Sequence, residues 1–144
     1  MRFTAKEDYG LRAVLDIAMH SNGEPVQANE ISSRQAIPDQ FLEQVIGQLR
    51  RGDIVRSIRG KSGGYLLSRT PDTTFVGQII TSLSGSLVPE SILDLNRSGT
   101  AEGQLATMIW RDVDRVLHSA LDTMSIADLL NRLDGNTASF MMHI

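Results

Sequence analysis

Residues 39–67 read DQFLEQVIGQLRRGDIVRSIRGKSGGYLL, and this stretch contains the strongest structural signals of the chain. Its first half places apolar side chains at helical spacing, which predicts a helix with one buried face formed by Leu42, Val45, Ile46 and Leu49. Its second half turns at Gly52-Asp53 and predicts two short strands, 54–58 and 65–68, around a basic, glycine-rich tip. The stretch therefore predicts a helix followed by a β-hairpin.

The outward face of this helix carries amides and carboxylates, namely Asp39, Gln40, Glu43, Gln44 and Gln48. Glutamine pairs with adenine edges and carboxylates accept hydrogen bonds from cytosine, so these groups suit the reading of a major groove. A solvated helix face would have the same composition. Phe41, at the edge of the apolar stripe, fits either the core or the outward face.

Two shorter helices are predicted before this stretch. Thr4 and Glu7 have the spacing of a capping box and begin a helix that reaches about His20. A second helix covers residues 29–35 and ends before Pro38, because proline disfavours helical geometry in the residue before it. Three helices followed by a hairpin form a winged helix-turn-helix, whose third helix enters the major groove while the hairpin tip reaches phosphates or the minor groove.

The sequence after Pro71 predicts a fourth helix ending near Gly85, a loop, a long helix from Ala101 and a short closing helix over 125–133. Apolar residues recur along the long helix at three- and four-residue spacing, and those predicted for an interface are Leu105, Met108, Ile109, Val113, Val116, Leu117, Ala120 and Leu121. One small domain hardly needs so long a stripe, so we expect a twofold homodimer joined through this helix.

The whole pattern predicts a mainly α fold with a small β-hairpin wing and a long C-terminal dimerisation helix. The predicted parts are a DNA-binding domain (1–84), a flexible loop (85–100), the dimerisation and closing helices (101–135) and a tail of ambiguous structure (136–144).

The net charge of −3 is distributed unevenly along the chain. Residues 1–70 carry ten Lys or Arg against eight Asp or Glu, a net +2, whereas residues 71–144 carry four against nine, a net −5. Between residues 50 and 61 only Asp53 opposes five cations, which are Arg50, Arg51, Arg56, Arg59 and Lys61. Such a patch is typical of a surface that meets phosphates, although solvated charged faces are also common.

The sequence lacks the residues that several classes of function require. The chain has no cysteine, its three histidines are scattered, and no nucleophile–base set has catalytic spacing, so we expect neither an enzyme nor a metal site. Gly60-Lys61-Ser62 lacks the upstream glycine of a phosphate-binding loop, because Val55 occupies that place. Without a long apolar stretch or a secretion signal, the expected location is cytoplasmic.

Five short segments occur along the chain in an order that is specific enough to indicate a protein family. They are Thr4-Ala5-Lys6 with Tyr9, Phe41-Leu42-Glu43-Gln44 continuing to Leu49-Arg50, Arg59-Gly60 before Gly63-Gly64-Tyr65-Leu66, Trp110-Arg111-Asp112-Val113 and Ser125-Ile126-Ala127-Asp128-Leu129. Together they resemble the Rrf-two type of bacterial winged-helix regulators, the family that includes IscR, NsrR and CymR. The resemblance implies a homodimer that binds a pseudo-palindromic DNA operator with one winged helix per half-site.

The same resemblance implies roles for individual residues. Gln40, Phe41, Glu43 and Gln44 would read bases, Arg59 would enter the minor groove, and Lys61, Ser62 and Gly63 would lie close to the DNA backbone. With Gln48, Arg51 and Arg56, these are the predicted DNA-binding residues.

The chain departs from the family's cluster-binding members, which carry three cysteines and a histidine between the fourth helix and the first turns of the long helix. Those places hold Ile92, Ser98, Gln104 and Thr107 here, and none can ligate iron in the family's way. We therefore expect no cofactor and a colourless protein.

Two functions remain open. One is a transcription regulator controlled by a small molecule or a protein partner, with the sensor between the wing domain and the long helix and a loop at 86–104 that changes order. The other is a protein-interaction module of the same fold without sequence-specific DNA binding. The basic patch and the polar helix face argue against the second function, because folding needs neither.

Overall fold

The computed structural model describes the backbone of residues 3–142 and the side chains of residues 3–135. Its elements are α1 (Ala5–His20), α2 (Ala28–Gln35), α3 (Asp39–Arg51), β1 (Val55–Ile58), β2 (Gly64–Leu67), a single 3-10 turn (Pro71–Thr73), α4 (Val76–Ser84), α5 (Glu90–Leu93), α6 (Ala101–Asp122) and α7 (Ile126–Met142). The predicted fold class, mainly helical with one hairpin, is confirmed.

Thr4 is the N-cap of α1, and Glu7 reaches back to it as the predicted capping box requires. The Glu7 carboxylate accepts from both the backbone N–H, at 2.8 Å, and the hydroxyl of Thr4. Burial raises the pKa of Glu7, but the hydrogen bonds from Thr4, the backbone and Ser84 outweigh this effect and hold the pKa below its ordinary value. The carboxylate therefore stays charged at the helix N-terminus, where the helix dipole favours it.

A buried ion pair joins α1 to α2. Asp16, whose side chain has no solvent exposure, accepts from Arg34 Nε at 2.9 Å and Nη2 at 2.8 Å, and from Gln35 Nε2 at 2.9 Å. Burial raises the pKa of Asp16. The hydrogen bonds and the Arg34 charge together lower it by more than burial raises it, so the net shift of the pKa is downward. The pair fixes the end of α2 from which the chain turns into α3.

The turn between α2 and α3 contains Ala36 in the left-handed region, with φ of 52°. Ser32 Oγ lies 2.7 Å from the Ile37 carbonyl and 2.6 Å from Asp39 Oδ1, which ties α2 to the first residue of α3. Buried apolar side chains from α1, α2 and α3 form the main core beneath this turn, with Ile17, Ile31, Leu42 and Leu49 among the most buried.

The hairpin pairs β1 and β2 antiparallel, with Val55 opposite Leu67 and Ile58 opposite Gly64. Val26 extends it, because the backbones of Val26 and Tyr65 exchange hydrogen bonds of 2.9 and 2.8 Å. Gly64 has φ of 152°, and a Cβ there would lie only 2.5 Å from the Val26 carbonyl oxygen. The base of the wing is therefore anchored to the segment before α2.

The C-terminal half differs from the expectation in two places. The segment predicted as a loop contains the short helix α5, and the last helix does not end near Leu133 but continues to Met142 through most of the predicted tail. Residues 143–144 lie outside the described part of the chain. Antiparallel backbone hydrogen bonds, Val76 N–H to Met124 and Ile126 N–H to Thr74, both at 2.8 Å, fasten the start of α7 to the start of α4.

Candidate nucleic-acid interface

The outward face of α3 is accessible along its length. Gln40, Glu43 and Gln44 are exposed, Gln48 is half-buried, and Arg51 is exposed at the C-terminal end. All of these except Gln40 border an open groove that Lys6 of α1 also lines. Sequence reasoning missed Lys6, because only folding brings the first turn of α1 beside α3. The groove combines amides, a carboxylate and two cations, groups that contact base edges and phosphates.

Phe41 belongs to both the core edge and the groove, so each of its two sequence interpretations is partly right. Its ring stands edge-on to Tyr9, with centroids 5.2 Å apart, and remains 37 % exposed. The Arg12 guanidinium lies 5.5 Å from the other ring, that of Tyr9. This stack orients Phe41 on the α3 surface, where an apolar ring can contact a thymine methyl group.

The floor of the groove is open at Gly47. A Cβ built there would lie 3.5 Å from Arg51 Nη1, an ordinary van der Waals contact, and its other neighbours leave space. The lack of a side chain at Gly47 thus leaves room for a ligand group to approach the Arg51 guanidinium.

Gly47→Ala is expected to raise the free energy of unfolding by about 0.5–1 kcal/mol, because alanine is favoured over glycine inside a helix. Urea unfolding measures the change. Gly10→Ala is the matched control in α1: its Cβ would overlap Leu83 Cδ1, so we expect a loss of about 1–3 kcal/mol. If Gly47→Ala instead lost as much free energy of unfolding as Gly10→Ala, the space at Gly47 would be closed.

The wing tip presents three exposed side chains, Arg59, Lys61 and Ser62. Gly60 has φ of 112°, which favours glycine. Gly63 is buried, a Cβ there would overlap the Ile58 carbonyl, and its N–H donates to the Gly60 carbonyl at 3.0 Å. Gly63 therefore shapes the tip, and its amide is already used within the turn. That Gly63 lies close to the DNA backbone stays a prediction.

The cations of the basic patch have no acidic partner among the described residues. The ion pairs in the N-terminal half involve Arg12, Arg34 and Arg69, and none uses Arg50, Arg51, Arg56, Arg59 or Lys61. A cation that is free in the protein can release counterions from DNA when it meets a phosphate. The electrostatics of the patch fit a polyanionic ligand.

The structure does not bring Arg56 together with the α3 residues. It lines a separate groove with Ala18, Ser21 and Arg69, near the C-terminal end of α1. Strand alternation explains this placement, because Val55 enters the core and its neighbour must therefore point away from it. Arg56 accordingly lies outside the groove that the α3 residues border.

The apolar residues of α6 form two sets. Leu105, Met108, Ile109, Val116 and Ala120 are exposed along one stripe, with Leu105 at 62 %, Ile109 at 57 % and Val116 at 64 %. Leu117 and Leu121 are half-buried against Val76, Ile80 and Leu87 of their own protomer, and half-buried Val113 faces the segment around α5. The exposed stripe offers the larger part of the predicted interface, and Val113, Leu117 and Leu121 offer only the part of their surface that is not already packed within the chain. The interface itself stays a prediction.

The four positions of the family's cluster ligands do not suit an iron–sulfur cluster here. Thr107 is fully buried, accepts from Arg97 Nε at 2.8 Å and donates to the Gly103 carbonyl at 3.0 Å. Ser98 Oγ lies 2.9 Å from Thr100 Oγ1. Ile92 lines an apolar pocket, and the described residues contain no group of histidines and carboxylates that could hold a metal ion.

Comparisons with known proteins give a consistent answer. A family model named Rrf2, described as an iron-dependent transcriptional regulator, matches residues 3–132. The chain is 36 % identical to the HTH-type transcriptional regulator IscR of Erwinia tasmaniensis over 131 residues, which is 91 % of this chain and 79 % of the relative. IscR of Yersinia enterocolitica is also 36 % identical, over 93 % of this chain and 82 % of its own length.

Solved structures agree with these sequence relatives. The structure of T. potens IscR superposes with a TM-score of 0.74 at 32 % identity, over 92 % of this chain and 88 % of that one. CymR, the global cysteine regulator of B. subtilis, superposes with a TM-score of 0.69 at 30 % identity, over 92 % of this chain and 98 % of that one. Among the described residues, no helix has the length and apolar character of a membrane span.

Proposed function

Because the chain belongs to the Rrf2 family of transcriptional regulators, we propose that it binds a pseudo-palindromic operator as a homodimer, without an iron–sulfur cluster. The coarser prediction, a DNA-binding transcription regulator rather than an enzyme, is confirmed by its relatives. The dimer, the operator and a cytoplasmic location belong to the proposal.

One observation carries the proposal. The polar face of α3 and the cations of the wing are both exposed, and the cations have no acidic partners among the described residues. In a winged helix, α3 lies in the major groove and places Gln40, Glu43 and Gln44 against base edges. The wing tip then reaches the flanking minor groove with Arg59 and the phosphates with Lys61.

The signal is proposed to be a small molecule or a protein partner. The chain contains no cysteine, and the polar contacts of Thr107 and Ser98 occupy the region where a cluster would otherwise sit. Control by iron–sulfur chemistry of the family's kind is therefore not part of the proposal.

Capture of genomic DNA fragments by the purified protein, repeated across a salt series, tests the proposed function. A recurrent palindrome with half-sites about one helical turn apart is expected. Binding that depends on salt but not on sequence would contradict the operator and favour the protein-interaction module.

Arg59→Ala is expected to weaken operator binding by about 1–3 kcal/mol, because it removes the only arginine at the wing tip. Binding isotherms at matched salt measure the loss. Arg132→Ala in α7 carries the same change of charge away from the wing and should bind as the wild type does. Equal affinity for the Arg59 variant and the wild type would remove the minor-groove role.

A further inference from the structure

An apolar pocket lies between the segment around α5 and helix α6. Its volume is about 170 Å³, and its walls are hydrocarbon or aromatic side chains: Val88, Pro89, Ile92, Trp110 and Val113. We propose that this pocket is a binding site for a small, uncharged, apolar molecule with about one ring. The proposal goes beyond DNA binding and does not depend on it.

Polar contacts tie helix α6 to the segment around α5 on both sides of the pocket-lining residues. At one end the Asp114 carboxylate of α6 accepts from Ser86 Oγ at 2.8 Å and from the Val88 N–H at 3.4 Å. At the other end Arg111 Nε of α6 donates to the Leu93 carbonyl at 2.7 Å. Without such hydrogen bonds the hydrophobic effect would bring the two apolar walls together. The hydrogen bonds therefore favour a preformed cavity.

The size and lining determine the chemical class of the ligand. A cavity of roughly 150 Å³ lined by apolar side chains binds benzene in another protein, and this pocket is slightly larger. None of its lining residues carries a formal charge, and the neighbouring Arg111 and Asp114 are already hydrogen-bonded to the Leu93 carbonyl and to Ser86, so a charged ligand would lose more hydration than it gains. A single ring with a small alkyl substituent fits both limits.

Trp110 forms one wall of the pocket and is 43 % exposed, although indole is the largest apolar side chain in the sequence. A ligand in the pocket would cover part of this ring, a gain that grows with the apolar area removed from water. The site also differs from the sequence-based expectation, which placed a sensor between the wing domain and the long helix.

Fluorescence titration of the intact protein with toluene tests the proposal. Trp110 is the only tryptophan, so its emission reports on the pocket alone. We expect a saturable blue shift with one toluene bound per chain, and no shift with benzoate, which has the same ring and a charge. An unchanged spectrum up to the solubility of toluene would overturn the proposal.

Variants that fill the pocket locate the site. Val113→Phe and Ile92→Phe keep Trp110 and should weaken toluene binding at least tenfold, whereas Leu133→Phe, an apolar enlargement on α7, should leave it unchanged. Circular dichroism melting of each variant checks its fold, and either filled variant suffices for the test. Undiminished binding by a folded filled variant would place the ligand elsewhere and overturn the proposal.

A second copy of the chain could occupy the pocket instead. In that case toluene would bind only after the exposed stripe of α6 is disrupted by Ile109→Asp. Binding restricted to that variant would overturn the small-molecule site and assign the pocket to the dimer. The titration contains no DNA, so its failure and the failure of operator binding are distinguishable.

Discussion

Arg34→Ala is expected to lower the free energy of unfolding by about 3 kcal/mol, because it leaves the Asp16 carboxylate buried without its cation. Gln35 Nε2 would remain its only side-chain donor. The value is at the low end of the range for broken buried pairs, since the Arg34 side chain is 35 % exposed and its own desolvation is incomplete. Urea unfolding at pH 7 measures the loss.

The pH dependence of the same variant has a defined sign. In the wild type the pKa of Asp16 lies below its ordinary value, so the pair stabilises the fold above the ordinary carboxyl pKa and loses this contribution as the pH falls through the folded pKa. Without Arg34, burial dominates and raises that pKa, so the folded state takes up a proton more readily. The deficit of Arg34→Ala should therefore shrink between pH 7 and pH 5, whereas the contribution of Asp16 to wild-type stability stays nearly constant.

Two further variants separate charge from packing. Asp16→Ala removes the buried charge and leaves Arg34 able to reach water, so its loss should be smaller than that of Arg34→Ala. Arg34→Lys keeps the positive charge without the two-pronged hydrogen bond and should lie between wild type and Arg34→Ala. A larger loss for Asp16→Ala than for Arg34→Ala would mean that packing, and not the unpaired carboxylate, determines the effect.

The N-terminal half could be predicted from the sequence because its signals are local. The apolar spacing of α3 identifies its buried face, short runs with apolar residues on either side of the turn indicate the wing strands, and Pro38 marks the boundary between α2 and α3. The glycine-rich tip defines the hairpin. These patterns need no knowledge of what packs against them, which is why the observed bounds agree within one or two residues.

The C-terminal half was harder because its segments depend on tertiary partners. Helix α5 is only four residues long, and hydrogen bonds to Asp114 and Arg111 of α6 hold its flanks, so no periodic pattern reveals it. The pairing of Ser125 with Phe75 likewise depends on a distant segment. A polar composition predicted a flexible loop where long-range contacts hold the chain in place.

In the candidate site, too, some features follow from local sequence and others depend on tertiary contacts. The outward residues of α3 follow from helical geometry, but Lys6 reaches the groove only because α1 packs beside α3. On α6, apolar residues occupy two faces, and spacing alone cannot tell which face meets the protomer's own core. The structure assigns Leu117 to the core and leaves Ile109 exposed.

Ile109→Asp is expected to convert the proposed dimer into monomers. The exposed positions Leu105, Ile109 and Val116 follow one another at intervals of four and seven residues, the spacing of a helix–helix seam. In a twofold dimer each substitution occurs in both chains, so two carboxylates would be desolvated at one interface without partners. Light scattering and sedimentation measure the mass.

Leu133→Asp provides the matched control for this variant. Leu133 is an exposed leucine of α7, 50 % accessible and off the α6 stripe, so an aspartate there adds the same charge without entering the proposed seam. It should remain dimeric. Because Ile109 already faces solvent in the protomer, its replacement should leave the circular dichroism of the monomer native-like. A dimer of wild-type stability for Ile109→Asp would show that α6 does not join the two chains, whereas monomers in both variants would extend the interface to α7.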